Sequence, residues 1–150
     1  MLTILQRVSR ASVRVDGEIC GEIGLGAVLL VCVEAGDRQP DADSTASKIA
    51  SLRFFPGEQG MDLSLPDVGG ACLVVSQFTL TGKIRKGRRP SFTDAAPAKI
   101  AKELYQRVVE QLRASGIEVA TGEFAAKMEI DMLADGPVTL LIASKEGSIL

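Results

Sequence analysis

The chain of 150 residues contains no histidine. That removes the commonest general base, so any hydrolysis carried out here must draw its proton transfer from another source. With no histidine, no clustered cysteines and no carboxylates at calcium-loop spacing, no metal site is expected, and no cofactor is called for. Cysteine is scarce and scattered: Cys20, Cys32 and Cys72 stand outside any CxxC spacing. An odd count without a framework argues against a disulfide-stapled secreted protein and reads as small buried hydrophobes in a reducing cytosol. Positive charge is short as well. Lys and Arg total 17 against 19 Asp and Glu, a net charge of −2, so no basic field covers the whole protein. An anionic partner has to be met by a local patch. Long apolar runs are missing too. Ala27 to Val33 is the longest, far below the roughly 20 residues that span a bilayer. Met1 to Arg7 lacks the charge and length pattern of a signal peptide. A soluble, cytoplasmic protein without a membrane partner is expected.

What is present is ordinary globular material: 46% hydrophobic and 24% charged residues, in a length that reads as one domain over 1–150. Ala11 to Val15 alternates polar and apolar positions as a half-buried strand does, and Asp16-Gly17 supplies the positive φ of a tight hairpin. Glu18 to Ile23 and Ala27 to Val33 follow as strands, the second apolar on both faces. Asp41 to Leu52 carries a helical stripe with Pro40 before it and Asp41 or Asp43 as cap. Asp67 to Gly70 reads as a turn and Ala71 to Val75 as a short apolar strand. Ala98 to Ala114 keeps i, i+3, i+4 apolar spacing, with Gly116 placed as an αL cap. Glu118 to Thr121, Met128 to Leu133 and Val138 to Ile142 complete the strands, and the tail from Ser144 is expected to be loose. The fold class is α+β: a mainly antiparallel or mixed, barrel-like sheet core with two main helices.

Three segments carry chemistry. Ser76-Gln77-Phe78-Thr79-Leu80 ends an apolar strand with two hydroxyls, an amide and an aromatic. In a regular strand Ser76 and Phe78 would face one side, Gln77 and Thr79 the other. A bulge or strand end would instead leave backbone N–H groups pointing at a ligand, the donors an oxyanion hole requires. The alternative is a strand end with satisfied hydroxyls. A hydroxyl nucleophile needs a neighbouring base, and none stands near Ser76, whose nearest following lysine is Lys83. Asp135-Gly136-Pro137 lies between two strand signals and reads either as a common turn or as a rigid pair of carbonyls presented to a ligand. Lys83, Arg85, Lys86, Arg88 and Arg89 form the one clear basic patch, either a solvated loop or a phosphate contact.

Together these segments resemble the D-aminoacyl-tRNA deacylase family, the D-tyrosyl-tRNA deacylases. The resemblance covers essentially the whole chain: Leu5 to Val13 at the start, Ser76 to Leu80, Lys86-Gly87-Arg88-Arg89-Pro90-Ser91-Phe92, and Gly136-Pro137-Val138-Thr139. It implies a homodimeric enzyme that hydrolyses the ester between a D-amino acid, or glycine, and the terminal ribose of tRNA. It implies a cis Gly136-Pro137 bond that enters the partner's active site, with its carbonyls facing the substrate's α-carbon and Arg7 holding the loop. Catalysis in the family is understood to use backbone N–H groups, here near Gln77 and Phe78, and the substrate's own 2′-hydroxyl. Ser76 and Thr79 would shape the pocket; an older idea makes Thr79 a nucleophile, which the missing base disfavours. One departure stands out: the family usually has asparagine two residues before the glycine, and this chain has Ala134. The leading reading is therefore proofreading of mischarged aminoacyl-tRNA. A hydroxyl-nucleophile esterase and a non-catalytic RNA-binding module are the alternatives.

Overall fold

Asp16 (φ 50°) and Gly17 (φ 84°) both take positive φ, and the hairpin they close sets the architecture. The computed structural model describes residues 1–150. Before the turn runs β1 (Leu2–Val15); after it come β2 (Glu18–Ile23) and β3 (Gly26–Cys32). β1 is long enough to pair twice on one edge, Ala11–Val15 with β2 and Leu2–Val8 with β3. The chain continues through α1 (Gln39–Ser51), β4 (Phe55–Gly57), β5 (Gly60–Leu63), α2 (Leu65–Val68) and β6 (Ala71–Ser76). A 3-10 turn (Phe78–Thr81) leads on to α3 (Ala98–Ala114), β7 (Val119–Thr121), β8 (Glu129–Lys145) and β9 (Ser148–Ile149).

The main sheet is mixed, in the order β7-β6-β3-β1-β8-β9 with β2 beside the far half of β1. β3, β6 and β7 run parallel to one another, and the remaining pairs are antiparallel. β3 and β6 alternate between two apolar faces. Leu29, Val31, Cys72 and Val74 lie under α1 and α3, against Ile49, Leu104, Val108 and Leu112. Val28, Leu73 and Val75 face a smaller inner core with Val8, Val13 and Ile23. Burial on both sides is what a near-continuous apolar run predicts, and each fully buried leucine contributes about 2 kcal/mol. The sheet curls far enough to close this inner core. Gly21 of β2 sits so near β7 that a Cβ would lie 2.6 Å from the Thr121 carbonyl oxygen, so only glycine fits. Across the outer face, Arg107 of α3 grips Asp43 of α1 with two bonds of 2.6 and 2.8 Å. No helix is long and apolar enough to cross a membrane.

Several boundaries differ from the sequence reading. β1 begins at Leu2, because its buried odd positions include the polar Thr3 and Arg7 and so hide the alternation. The 67–70 turn is the end of α2, with Gly69 left-handed. Met128–Leu133 and Val138–Ile142 are parts of one strand, since β8 pairs with β1 on both sides of Gly136-Pro137, with a register shift across the unpaired residues 135–138. The segment after Ser144 is ordered rather than loose: β9 folds back on β8, and the buried Ser144 hydroxyl bonds Thr45 and the Asp41 carbonyl.

Asp41 ties this corner together. It does not cap α1 from outside; it lies in the first turn, accepting the Arg38 N–H at 2.8 Å and the Gly147 N–H at 2.8 Å. Burial alone would push its carboxyl up, but the hydrogen bonds from Gly147 and Arg38 outweigh it and hold the group below the ordinary carboxylate range. Its contribution is therefore present above the unfolded pKa and lost as pH falls through the lower folded one. Asp41→Asn, which sets an NH2 against a buried N–H, is expected to cost about 2 kcal/mol in urea unfolding at neutral pH. The gap from the parent protein should narrow once the pH drops below about 4.

Candidate active site

β6 stops being a strand at one residue. Gln77 N–H donates to the Val31 carbonyl at 2.8 Å, its backbone turns to φ −144°, ψ 72°, and the 3-10 turn begins. Within that turn Leu80 N–H bonds the Gln77 carbonyl at 3.3 Å, and Gly82 N–H closes on Thr79 at 3.0 Å. The N–H groups of Phe78 and Thr79 find no acceptor in the chain, as the first residues of any helical turn do not. The expected free donors are thus displaced by one residue. Gln77 N–H belongs to the sheet because β3 still runs beside it; Phe78 and Thr79 supply the unpaired pair. The side chains do not alternate across a strand either. Gln77 Nε2 bonds Thr79 Oγ1, and Ser76 Oγ accepts the Ala125 N–H at 3.3 Å.

Ser76, Gln77, Phe78 and Ala125 line a cavity of about 220 Å³, apolar at twelve of its fourteen lining positions, and Thr79 follows just outside that lining. Val31, Val33 and Val75 form its floor, and Tyr105 and Phe124 one wall. The Tyr105 and Phe124 rings sit 5.6 Å apart. Met128 and Ile130 continue the lining from β8 and its approach. No carboxylate, amine or thiol is among the lining residues. Tyr105 is the single ionisable group there. Burial pushes its phenol up to about 12, and the hydroxyl is spent on the Val74 carbonyl at 2.8 Å. Cys32 and Cys72 are likewise pushed up by burial, to about 11 and about 12, and are no nucleophiles. The segment Phe124-Ala125-Ala126-Lys127 carries little signal in the sequence, a single aromatic between Thr121 and the Met128–Leu133 strand pattern.

Gly136-Pro137 stands apart from this cavity. The bond is cis, both residues are exposed, and Gly136 has φ 117°. Arg7, nearly buried on the adjacent β1, holds the segment. Its Nε meets the Asp135 carboxylate at 3.1 Å and the Asp135 carbonyl at 3.3 Å, while Nη1 donates to the Phe54 carbonyl at 2.7 Å. Gln6 bonds the Val138 carbonyl at 3.2 Å and also the Thr139 hydroxyl. Arg7 and Gln6 thus anchor the loop, with no side-chain hydrogen bond from Ala134. Ser76 pairs with Val31, Val31 with Thr3, and Thr3 with Ile142. Gly136 lies instead level with Arg7, between the Gln6–Thr139 and Val8–Ala134 pairs. Three strand spacings across and four residues along separate the two motifs by about 20 Å within one chain.

The basic loop lies nearer. Phe92 stacks edge-on against the exposed Phe78 at 5.2 Å, tying the segment to the cavity rim. Lys83 is neutralised by Asp94 at 2.7 Å, which leaves Arg85, Lys86, Arg88 and Arg89 exposed and without an ion pair.

Ala125 donates to Ser76 from φ 62°, a left-handed conformation. Ala125→Gly is expected to raise stability by about 0.5–1 kcal/mol in urea titration, the relief of left-handed strain less the entropy glycine adds to the unfolded chain.

A family model described as D-Tyr-tRNA(Tyr) deacylase matches residues 4–143. A D-aminoacyl-tRNA deacylase of Koribacter versatilis (strain Ellin345) is 52% identical, over 97% of this chain and 99% of its own. One from Heliobacterium modesticaldum (strain ATCC 51547 / Ice1) is also 52% identical, over 98% and 99%. Among solved structures, one titled c-Myc DNA Unwinding Element Binding Protein superposes with a TM-score of 0.88 at 37% identity, covering 97% of this chain and 99% of that one. A probable eukaryotic D-amino acid tRNA deacylase reaches a TM-score of 0.80 at 16% identity, over 93% and 97%, a likeness of fold alone. A family match over nearly the whole length, with half the residues shared by full-length relatives, means that the chain belongs to the D-Tyr-tRNA(Tyr) deacylase family.

Proposed function

We propose that this protein is a D-aminoacyl-tRNA deacylase that hydrolyses the ester between a D-amino acid, or glycine, and the 3′-terminal adenosine of tRNA, releasing the amino acid and free tRNA. The observation that carries the mechanism is the pair of unpaired N–H groups on Phe78, which lines an apolar cavity with no side-chain base, and on Thr79, the next residue in the chain. The terminal nucleoside lies in the cavity against Tyr105 and Phe124, and the ester carbonyl sits at the rim. Water attacks the carbonyl carbon, and the developing oxyanion accepts from the two N–H groups, each worth about 10²–10³-fold in kcat where such a donor has been removed. The intermediate collapses with cleavage of the bond to the ribose 3′-oxygen. That oxygen takes up the proton lost by water, relayed by the ribose's own 2′-hydroxyl, so no histidine is needed. Ser76 holds the Ala125 loop against the site, and the Gln77 amide fixes Thr79.

Chirality is read by the Gly136 and Pro137 carbonyls facing the substrate's α-carbon. A D side chain points outward, an L side chain meets the carbonyls, and glycine has nothing to exclude. The separation of about 20 Å within one chain supports delivery of this loop by a second copy. β8 offers the means. From Glu129 to Ile142 its only strand partner is β1, and Leu133 and Leu141 are exposed beside the open edge. Arg85, Lys86, Arg88 and Arg89 meet acceptor-stem phosphates, close to the rim through Phe92. Such an enzyme works where aminoacyl-tRNA is made and used, in the cytoplasm. The esterase alternative is weakened by the Gln77 side chain. Its NH2 donates to Thr79 Oγ1, which leaves no base to take that hydroxyl's proton.

Side-by-side hydrolysis of D-tyrosyl-tRNA and L-tyrosyl-tRNA tests the reading: the D ester is lost quickly and the L ester spared. Gly136→Ala should damage hydrolysis without unfolding the protein, because a Cβ at φ 117° would lie 2.9 Å from Arg7 Nη2. Equal rates on both esters would refute the chirality reading, and no cleavage of either would favour the RNA-binding module. Charge reversal at Arg88 and Arg89 should raise KM more than it lowers kcat and flatten the salt dependence of KM by about two in log–log slope.

A further inference from the structure

The Phe78 carbonyl, the other end of the peptide that bears the Thr79 N–H, is gripped from beneath. Thr81, nine-tenths buried, donates its hydroxyl to that oxygen at 2.8 Å. The buried Cys32 on β3 approaches the same oxygen with its Sγ at 3.6 Å. Neither residue lines the cavity. In a trans peptide the C=O and the following N–H are coplanar and point in opposite directions. Whatever fixes the Phe78 oxygen therefore aims the Thr79 N–H. We propose that Thr81, backed by Cys32, is a positioning residue that locks the Phe78–Thr79 peptide with its N–H turned toward the ester carbonyl. The proposal rests on the oxyanion reading above and adds to it the part of this chain that holds the donor in place.

The physical case is one of competition. A peptide plane between two residues of a single 3-10 turn is lightly held, because short turns have poor hydrogen-bond geometry. The Thr81 hydroxyl, with the Cys32 thiol as a weaker second donor that also reaches the Val33 carbonyl at 3.8 Å, opposes a flip that would carry the N–H away from the site. Thr81 makes the shorter and stronger bond; a thiol is a weak donor. Burial and the neighbouring Glu34 push Cys32 up to about 11, so it stays protonated and able to donate near neutral pH. The alternative is that Thr81 merely fastens the end of the turn, which would show as stability and not as rate.

Thr81→Val keeps the shape and deletes the hydroxyl; Thr81→Ser keeps the hydroxyl. With D-tyrosyl-tRNA, Thr81→Val is expected to lower kcat about tenfold, less than outright loss of a donor. KM should stay within about twofold, since substrate binding does not use the donor differentially. Thr81→Ser should recover most of the rate, and the preference for D over L esters should not move, because the Gly136-Pro137 loop is untouched. Cys32→Ala should lower kcat in the same direction by a smaller factor. It carries the test alone if Thr81→Val does not fold. Unchanged kcat in folded Thr81→Val, or a loss that Thr81→Ser does not rescue, overturns the positioning role while the deacylase reading stands. An unsubstituted protein that cleaves neither ester overturns both.

Discussion

The hydrogen bond from Gln77 N–H to the Val31 carbonyl is the constraint on which the rest depends. It is the last bond of the β6 ladder, and it exists because β3 runs two residues further than β7 does beside β6. The β3-facing donors of β6 are committed to the sheet up to that point. Immediately past it the chain turns, and the Phe78 and Thr79 N–H groups are left without a partner in the chain. Donors presented this way cost nothing to reorganise when charge develops on a substrate, which is why fixed backbone amides serve for oxyanion stabilisation.

The surroundings are arranged so that these donors are not wasted. The cavity behind them is walled by valines, a buried tyrosine and a phenylalanine, and holds no charged side chain. In such a wall an electrostatic interaction is stronger than in water. It also keeps side-chain acids and bases out, consistent with a chain that contains no histidine and whose nearby thiols and phenol are all pushed up by burial. Ester cleavage, with a 2′-hydroxyl supplied by the substrate, is chemistry that this sparse site supports.

The Gly136-Pro137 loop and the segment after β6 sit on different strands. The loop at Gly136-Pro137 is anchored to β1 by Arg7, whose guanidinium is nearly buried and spends its donors on the Asp135 carboxylate and on the Asp135 and Phe54 carbonyls. Gln6 adds two further bonds. Both anchors belong to β1, which lies inside the sheet between β3 and β8. Ala134 is exposed and plays no part in the anchoring, which explains how the position tolerates a residue without a hydrogen-bonding side chain.

Features of local chemistry were legible in the residues alone. Asp16-Gly17 demanded a tight hairpin, the apolar stripe from Ala98 to Ala114 demanded a helix, and the two-sided apolar run at Ala27–Val33 demanded a central strand. All three depend on neighbours within a few positions. The motifs of the site were visible as residue types, but their arrangement was not. Gly-Pro reads locally as a turn, yet pairing with β1 holds it inside one strand of seventeen residues. The Gln77 amide looked free, and β3 claims it. The cavity wall from Phe124 to Ala126 carried almost no signal, because its meaning comes from Tyr105 and Val75, far away in sequence. Sequence by itself determined the first hairpin, the central strand, the long helix and the absence of histidine; tertiary structure alone decided which N–H groups remain unpaired and where the loop lies, because both depend on which strand lies alongside.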